Sequence, residues 1–420
     1  MAADPQRVSV VGIGRVGLPL ALALKESGFE VAGIDKDDAL LAAVRARKMP
    51  FREPGFDELL ARAGLDVSKE YGAVEKADAI VITVGTPLRE HIETDLTQVQ
   101  GVLDQVLPRL KKRALLVLRS TIAPGTTEYV RRTLNRRTAL KVGTDVFLAF
   151  CPERIAEGRA REELRVLPQI IGAQDEESGR RAAQLFAPLG AEAIHTSYLG
   201  AELAKLFNNI SRYVYFAVSN QLAMVAEQFG ANIHEILHLC NHKYPRNIIA
   251  SPGFTAGTCL RKDFGMINEF APYPDLLLSA WKVNEYVPRY LVEMALRKRR
   301  IEGAKVAVLG YTFKRGADDV RDSLSPKLVR LIGREVPAEI RICEPNLPGD
   351  LESPLGHGHT EKNWRLEEAV RDADFIFIAT NHEAFDRSLL SLAARHALVV
   401  DLWNATGMKR VTFEVREILG

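Results

Sequence analysis

Two stretches of this chain carry residues able to do chemistry together. Near the amino terminus, Val8-Ser-Val-Val-Gly-Ile-Gly-Arg-Val-Gly17 spaces Gly12, Gly14 and Gly17 as G-x-G-x-x-G. Far downstream, Ser251-Pro-Gly-Phe-Thr-Ala-Gly-Thr-Cys-Leu-Arg-Lys-Asp263 presents Cys259 among glycine and polar neighbours. A nicotinamide cofactor held by the first takes a hydride from an alcohol, and a thiol in the second captures the aldehyde as a thiohemiacetal, which makes a second hydride available. The expected product is an acid. Gly257 lets a substrate approach the thiol closely, and Lys262 favours the thiolate. The competing reading of a lone cysteine is a buried inert thiol, against which its polar, glycine-bearing surroundings count.

The glycines need a strand before them and a helix after them. The β-branched run from Val8 predicts a buried strand, and the apolar stretch Leu18 to Ser27 predicts the helix. Gly12 allows the tight turn, Gly14 lets backbone amides approach a pyrophosphate, and Gly17 permits close helix packing. A second predicted strand, Phe29 to Asp35, ends on an acid placed to bind the adenosine ribose, which favours NAD over NADP, although Lys36 beside it leaves NADP open.

Further strands are predicted at Ala79–Gly85, Leu115–Thr121, Val146–Phe150 and Gln169–Gly172, alternating with helices as in a doubly wound sheet. Leu199 to Gln228 reads as one long helix joining two outer domains, and 276–300 as another helical stretch. The pattern then restarts with strands at Lys305–Gly310, Glu339–Cys343, Asp374–Ala379 and Ala397–Asp401. The first turn of this second sheet, Gly310-Tyr-Thr-Phe-Lys314, lacks the glycine triplet. A second dinucleotide is therefore not expected there, whereas a nucleotide at the same switch point is; the bland alternative is a sheet that only dimerises the protein. The expectation is an α/β protein of two Rossmann-like domains, with residues 1–195 binding NAD, 196–300 helical and carrying the cysteine, and 301–420 binding a nucleotide-linked substrate.

A chain of 420 residues exceeds what one core organises, and 47% apolar content supplies several. The net charge of +2 carries no nucleic-acid signature, and Arg297-Lys-Arg-Arg300 reads as the solvated end of a helix. No apolar run approaches a membrane span, and the first residues are no signal peptide. The cysteines at 151, 240, 259 and 343 show no CxxC spacing and no disulfide density. A cytoplasmic setting is expected.

Six ordered segments carry a resemblance along nearly the full length. They are Thr83-Val-Gly-Thr-Pro87, Ser120-Thr-Ile-Ala-Pro-Gly-Thr-Thr-Glu128, Cys151-Pro-Glu-Arg-Ile-Ala-Glu-Gly158, Ala201-Glu-Leu-Ala-Lys-Leu-Phe-Asn-Asn209, Gly257-Thr-Cys-Leu-Arg-Lys-Asp263 and Phe313-Lys-Arg-Gly-Ala-Asp-Asp-Val-Arg-Asp-Ser323. The chain resembles the nucleotide-sugar 6-dehydrogenases, which oxidise UDP-glucose, UDP-N-acetylhexosamines or GDP-mannose. The resemblance implies two Rossmann-like domains joined by a long helix that builds a homodimer, and oxidation of a primary alcohol to a carboxylate with two NAD and one water. It assigns Cys259 as nucleophile, Lys205 and Asn209 as steadying the alkoxide and thiohemiacetal oxygen, and Asp263 as base or water holder. Thr121 would hold that water and Glu153 would assist thioester release. Thr86, Glu157, Lys262 and Arg321 would lie near the cofactor, with Arg246, Phe254, Gly257 and Lys314 toward the substrate. Independently of the family, Lys205 and Asn209 are four apart, so a helix puts an ammonium and an amide on one face.

Ala256 replaces a glycine usual in the family and is small enough to leave the cysteine reachable; Arg261 stands where proline is frequent, a bulky cation that bears on the sugar more than on the reaction. Glu157-Gly158 resembles UDP-glucose enzymes, while Pro152-Glu-Arg154, Pro245-Arg246 and the segment Leu88 to Leu96 are closer to the N-acetylhexosamine branch. His234-Glu-Ile-Leu-His238 is a literal H-E-x-x-H, and His242 continues its spacing, the pattern of a zinc hydrolase. It falls in the helix before the cysteine segment, and no metal is expected there. Two other readings remain: a two-electron hydroxyacid dehydrogenase, needing neither Cys259 nor a second sheet, and a nucleotide-sensing protein without turnover.

Overall fold

The computed structural model describes residues 6–87, 95–268, 270–352 and 360–419, with the side chains of 258, 259, 261, 360 and 419 outside the description. The chain divides into two compact units, Met1–Asn208 with Gly265–Phe270, and Asn209–Phe264 with Ala271–Gly420.

The first unit is built on eight strands: β1 (Arg7–Val11), β2 (Glu30–Ile34), β3 (Asp66–Ser68), β4 (Ala79–Ile82), β5 (Leu115–Leu118), β6 (Phe147–Phe150), β7 (Gln169–Gly172) and β8 (Ala193–Thr196). They lie in the order β3-β2-β1-β4-β5-β6-β7-β8, and all pairs are parallel except β6 with β7. Alternate residues explain the two covered faces. Ala79 and Val81 enter one apolar cluster, and Ile80 and Ile82 enter the other, as expected of a sheet buried under helices on both sides. Strand order reverses between β1 and β4, where such sheets bind ligands at their carboxyl ends.

The second unit repeats the scheme with β9 (Lys305–Leu309), β10 (Glu339–Cys343), β13 (Phe375–Ile378), β14 (Leu398–Val400) and β15 (Thr412–Glu414), ordered β10-β9-β13-β14-β15. The last pair is antiparallel, and a separate ribbon pairs β11 (Leu351–Glu352) with β12 (Thr360–Glu361). Val306 and Val308 face one cluster, Ala307 and Leu309 the other. The α/β class with two Rossmann-like sheets is thus as expected. The predicted long helix runs from Tyr198 to Gln228, 31 residues, and a second runs Asp275–Lys298.

Candidate active site

In the first unit, β1 delivers Gly12 to the switch point with φ +92°, and a Cβ there would lie 2.9 Å from the Val84 amide nitrogen. Gly17 is tighter still, since its Cβ would sit 2.0 Å from the Gly12 carbonyl oxygen. Gly14, by contrast, faces nothing within 4 Å. Two glycines therefore seal the strand-helix turn, and the third leaves open space above it. The helix Gly17–Glu26 begins with no side-chain cap and no acidic residue in its first turn, so its amino-terminal amides are left for an anion. Asp35 follows β2 directly, half-buried, its Oδ1 accepting from the Asp37 amide at 3.1 Å. These residues fit the pyrophosphate and ribose of a dinucleotide.

Loops beyond β4, β5 and β6 are laced together beside this turn. Thr83 Oγ1 donates to the Gly12 carbonyl at 2.5 Å, and Ser120 Oγ donates to the Val84 carbonyl at 2.6 Å. The buried Thr86 hydroxyl donates to the Thr121 carbonyl. Glu153 is buried against the fully buried Arg119, whose Nε donates to Oε2 at 2.8 Å, while Glu153 Oε1 accepts from the amides of Arg154 at 2.7 Å and Ile155 at 3.0 Å. Glu157 pairs with Arg15 at 3.9 Å. Predicted strand residues Thr83 to Gly85 and Arg119 to Thr121 thus leave the ladder to build these loops.

Two buried carboxylates that position these loops carry no signal in the sequence. Glu202 accepts from the amides of Gly125 (2.7 Å) and Thr127 (2.8 Å), pinning the Ser120–Glu128 segment to the long helix. Glu53 accepts from the amides of Gly158 and Ala160, each at 2.9 Å. Each is a carboxylate far in sequence from its partner, so no local pattern marks it.

Lys205 lies on the long helix within the first unit, 8% exposed, and among the described residues it makes no ion pair. One turn on, Asn209 opens the second unit's share of that helix, and its Nδ2 donates to Asp263 Oδ2 at 2.6 Å. Asp263 is completely buried and sits on the helix Thr258–Asn268, one turn after position 259. The Cys259 and Arg261 side chains lie outside the described residues, as do residues 88–94 of the Leu88 to Leu96 segment. Gly257, at φ +96°, could carry no side chain, because a Cβ would come within 2.6 Å of the Phe313 ring. Ahead of it, Asn220 brackets Gly253, accepting from its amide at 2.8 Å and donating to its carbonyl at 3.0 Å.

The other assigned positions are more scattered. Phe254 is packed into the second unit's core. Arg246 is exposed, its guanidinium 6.0 Å from the Tyr244 ring centroid. Lys314 Nζ lies 5.8 Å from the Phe313 ring centroid. Arg321, with a side chain 61% exposed, pairs with Asp319 at 2.6 Å. Lys262 is half-buried beside Asp263. Among the remaining cysteines, Cys151 and Cys343 are buried, and burial pushes each thiol up to about 12; Cys240 is exposed.

The H-E-x-x-H segment forms the helix Ile233–Asn241, capped by Asn232, whose Oδ1 accepts from the His234 and Glu235 amides. Burial holds the His234 imidazole below its ordinary pKa. The His238 and His242 rings sit 5.5 Å apart, yet among the described residues no three His, Cys, Asp or Glu side chains are placed to hold one metal ion. No helix among them is long and apolar enough to cross a membrane.

A glycine-sealed cradle at the switch point of a 3-2-1-4-5-6 sheet defines a dinucleotide-binding protein. The chain belongs to the UDP-glucose/GDP-mannose dehydrogenase family: residues 6–190 match its NAD binding domain, 200–286 its central domain and 307–408 its UDP binding domain. It is 32% identical to a UDP-N-acetyl-D-mannosamine dehydrogenase of Pyrococcus horikoshii, over 98% of this chain and 99% of that one. It is 30% identical to an NDP-N-acetyl-D-galactosaminuronic acid dehydrogenase of Ralstonia solanacearum, covering 96% and 97% of the two chains. A solved structure of the UDP-D-ManNAc dehydrogenase from Pyrococcus horikoshii superposes with a TM-score of 0.84 at 30% identity, over 94% of each chain. The chain is thus an NAD-dependent dehydrogenase of UDP-sugars.

Proposed function

We propose that this protein oxidises the primary alcohol of a UDP-N-acetylhexosamine to the uronic acid through a thioester on Cys259. The sugar is supported by the relatives, two of which carry N-acetylhexosamine names. The observation that carries the mechanism is the Asn209–Asp263 hydrogen bond, which ties the long helix to the helix bearing position 259.

Gly12, Gly14, Gly17 and Asp35 hold the cofactor, with Thr86, Glu157, Lys262 and Arg321 around it. NAD, when bound, accepts the hydride of each oxidation. Asp263, directly or through a water held by Thr121, takes the alcohol proton. Lys205 and Asn209 donate to the oxygen as negative charge develops on it, which is worth most where water is excluded. The Cys259 thiolate adds to the aldehyde carbon, and the oxygen becomes that of a thiohemiacetal. After the second oxidation, water attacks the thioester carbonyl, the C–S bond breaks, and the acid leaves with Cys259 restored as thiol. Glu153 assists this release by ordering the loop in which it accepts its hydrogen bonds. Arg246, Phe254, Gly257 and Lys314 shape the substrate side. The functional division is 1–195 for NAD, 196–300 for the thiol and dimerisation, and 301–420 for the nucleotide.

The proposed homodimer is supported by an exposed apolar seam along the long helix, continued by Phe229 just past its end. Tyr215, Val218, Leu222, Val225 and Phe229 recur at alternating spacings of three and four, and they are 55, 47, 37, 41 and 82% exposed. That spacing is the stripe a second helix covers. The enzyme is proposed to work in the cytoplasm as this dimer.

The test is stoichiometric. Purified protein incubated with NAD and single nucleotide sugars is expected to form two NADH per sugar consumed, with a carboxylate product. One NADH and an aldehyde or ketone would replace the reading by a two-electron dehydrogenase, and no NADH across the panel by a nucleotide sensor.

A further inference from the structure

The second sheet meets its ligand problem differently from the first. Its order, β10-β9-β13-β14-β15, puts the switch point between β9 and β13, where the crevice at the carboxyl ends is the expected nucleotide position. In the first sheet the equivalent turn stands open above Gly14. In the second, the turn after β9 already holds an anion, supplied by the protein. Glu344, completely buried at the end of β10, accepts at Oε2 from the amides of Tyr311 (2.8 Å) and Thr312 (2.9 Å). The same oxygen takes the Thr312 hydroxyl at 3.0 Å and His382 Nε2 at 3.0 Å. Oε1 accepts from the Asn346 amide at 2.9 Å.

His382 extends the clamp forward. Its Nδ1 receives the Gly316 amide at 3.3 Å and Asn346 Nδ2 at 2.9 Å, so Nδ1 is the accepting nitrogen and Nε2 carries the hydrogen directed at Glu344. Thr380 Oγ1 donates to the Thr312 carbonyl at 2.7 Å, and Gly310 has no room for a Cβ, which would lie 2.5 Å from the Thr380 Cβ. Burial pushes the Glu344 carboxyl up, but His382 and the amides of Thr312 and Tyr311 outweigh burial and hold it below its ordinary range.

We infer that Glu344 and His382 are positioning residues that set which nucleotide the carboxyl-terminal domain accepts. The carboxylate occupies the backbone amides a dinucleotide pyrophosphate would need, and displacing it would strand a buried charge. A second dinucleotide is thereby barred. The same pair grips the loop at Thr312 and Gly316, on either side of Lys314, so a mononucleotide diphosphate is read by side chains of that fixed loop. This deepens the nucleotide-sugar reading and rests on it.

The experiment titrates the full-length enzyme with UDP and separately with NAD, alongside nucleotide-sugar kinetics, for wild type, Glu344→Gln, His382→Ala, His382→Gln and Thr312→Val. Loss of one charge-assisted hydrogen bond in the clamp should weaken UDP binding by about tenfold. KM for the sugar should rise with it, kcat should change less than KM, and NAD affinity should stay within about twofold. His382→Gln, which keeps a donor, should recover part of the loss seen in His382→Ala. UDP binding unchanged in folded Glu344→Gln, or NAD binding weakened as much as UDP binding, overturns the inference. If Glu344→Gln does not fold, Thr312→Val decides, and unchanged UDP affinity there overturns it. A wild-type enzyme that binds no UDP overturns the proposed function as well, whereas one that binds UDP while every variant does so equally overturns this inference alone.

Discussion

Asn220→Ala is the perturbation whose consequences the structure specifies most closely. Asn220 is 1% exposed in the middle of the long helix, and its amide makes three hydrogen bonds, to the Gly253 amide (2.8 Å), the Gly253 carbonyl (3.0 Å) and Asn284 Oδ1 (3.0 Å). Gly253 itself is buried, with Trp403 where a Cβ would sit, so alanine strands a backbone donor, a backbone acceptor and a side-chain acceptor away from water. Each stranded group costs about 1–3 kcal/mol, and because relaxation is shared the sum should be about 3 kcal/mol. For a unit of about 200 residues, 1 kcal/mol moves Tm by about 2–4 °C, so a fall of about 6–12 °C is expected. The segment so loosened leads directly into the helix of Cys259, and a slight misplacement there should lower kcat by about tenfold or more. NAD affinity should not change. Differential scanning calorimetry with steady-state kinetics reads all three quantities. A Tm within about 2 °C of wild type would mean that the three Asn220 hydrogen bonds do not hold this segment. Asn220→Asp supplies a control of opposite polarity: its second oxygen would face two acceptors, so at neutral pH it should be no better than alanine.

Three further outcomes follow from the geometry. Gly14→Ala meets open space and should leave Tm within about 2 °C while weakening NAD binding at least about tenfold, whereas Gly17→Ala drives a Cβ into the Gly12 carbonyl and should destabilise by about 1–3 kcal/mol; titration calorimetry and thermal melts separate the two. With a disulfide thiol reagent at pH 8, exposed Cys240 should react quickly, and Cys151 and Cys343, each pushed up to about 12 by burial, should react only after unfolding; fast labelling of either in the folded state would contradict their burial. Glu344 is held below its ordinary pKa in the fold, so the unfolded chain binds the proton more tightly. Its contribution is present above the unfolded pKa and lost as pH falls through the carboxylate range, and acid titration of stability should be flatter in Glu344→Gln than in wild type.

Much of the architecture was legible because it depends on short-range pattern. Strands such as Ala79–Ile82 and Val306–Leu309 are buried on both faces and read as continuous apolar runs between helices. The glycine triplet announced its turn because each position answers a separate steric demand. The strands end before the expected Gly85 and Thr121, because Thr83 and Ser120 leave the ladder to bond neighbouring loops and Thr121 accepts from Thr86, a choice that local propensity does not encode. Short strands at the margins, Asp66–Ser68 and Thr412–Glu414, gave too few residues to show a period.

The site was legible in its motifs and illegible in its supports. Lys205 and Asn209 share a helix face by spacing, but the bond from Asn209 to Asp263 joins residues 54 apart. Arg119 directly follows a strand as a charged residue with no visible partner until Glu153 is folded beneath it. Glu344 and His382, 38 apart, belong to separate strand ends that only the sheet order brings together. In each case the signal is a polar residue where an apolar or solvent-facing one would satisfy the local pattern.

The proposed thioester on Cys259 would be read directly from the mass of the peptide bearing that residue, taken from enzyme quenched during turnover with NAD and its nucleotide sugar. An acyl adduct of the nucleotide uronate is expected on that peptide, absent from Cys259→Ser, which should also form acid at a small fraction of the wild-type rate with NAD affinity preserved. An unmodified Cys259 peptide together with undiminished acid formation by Cys259→Ser would contradict the thioester.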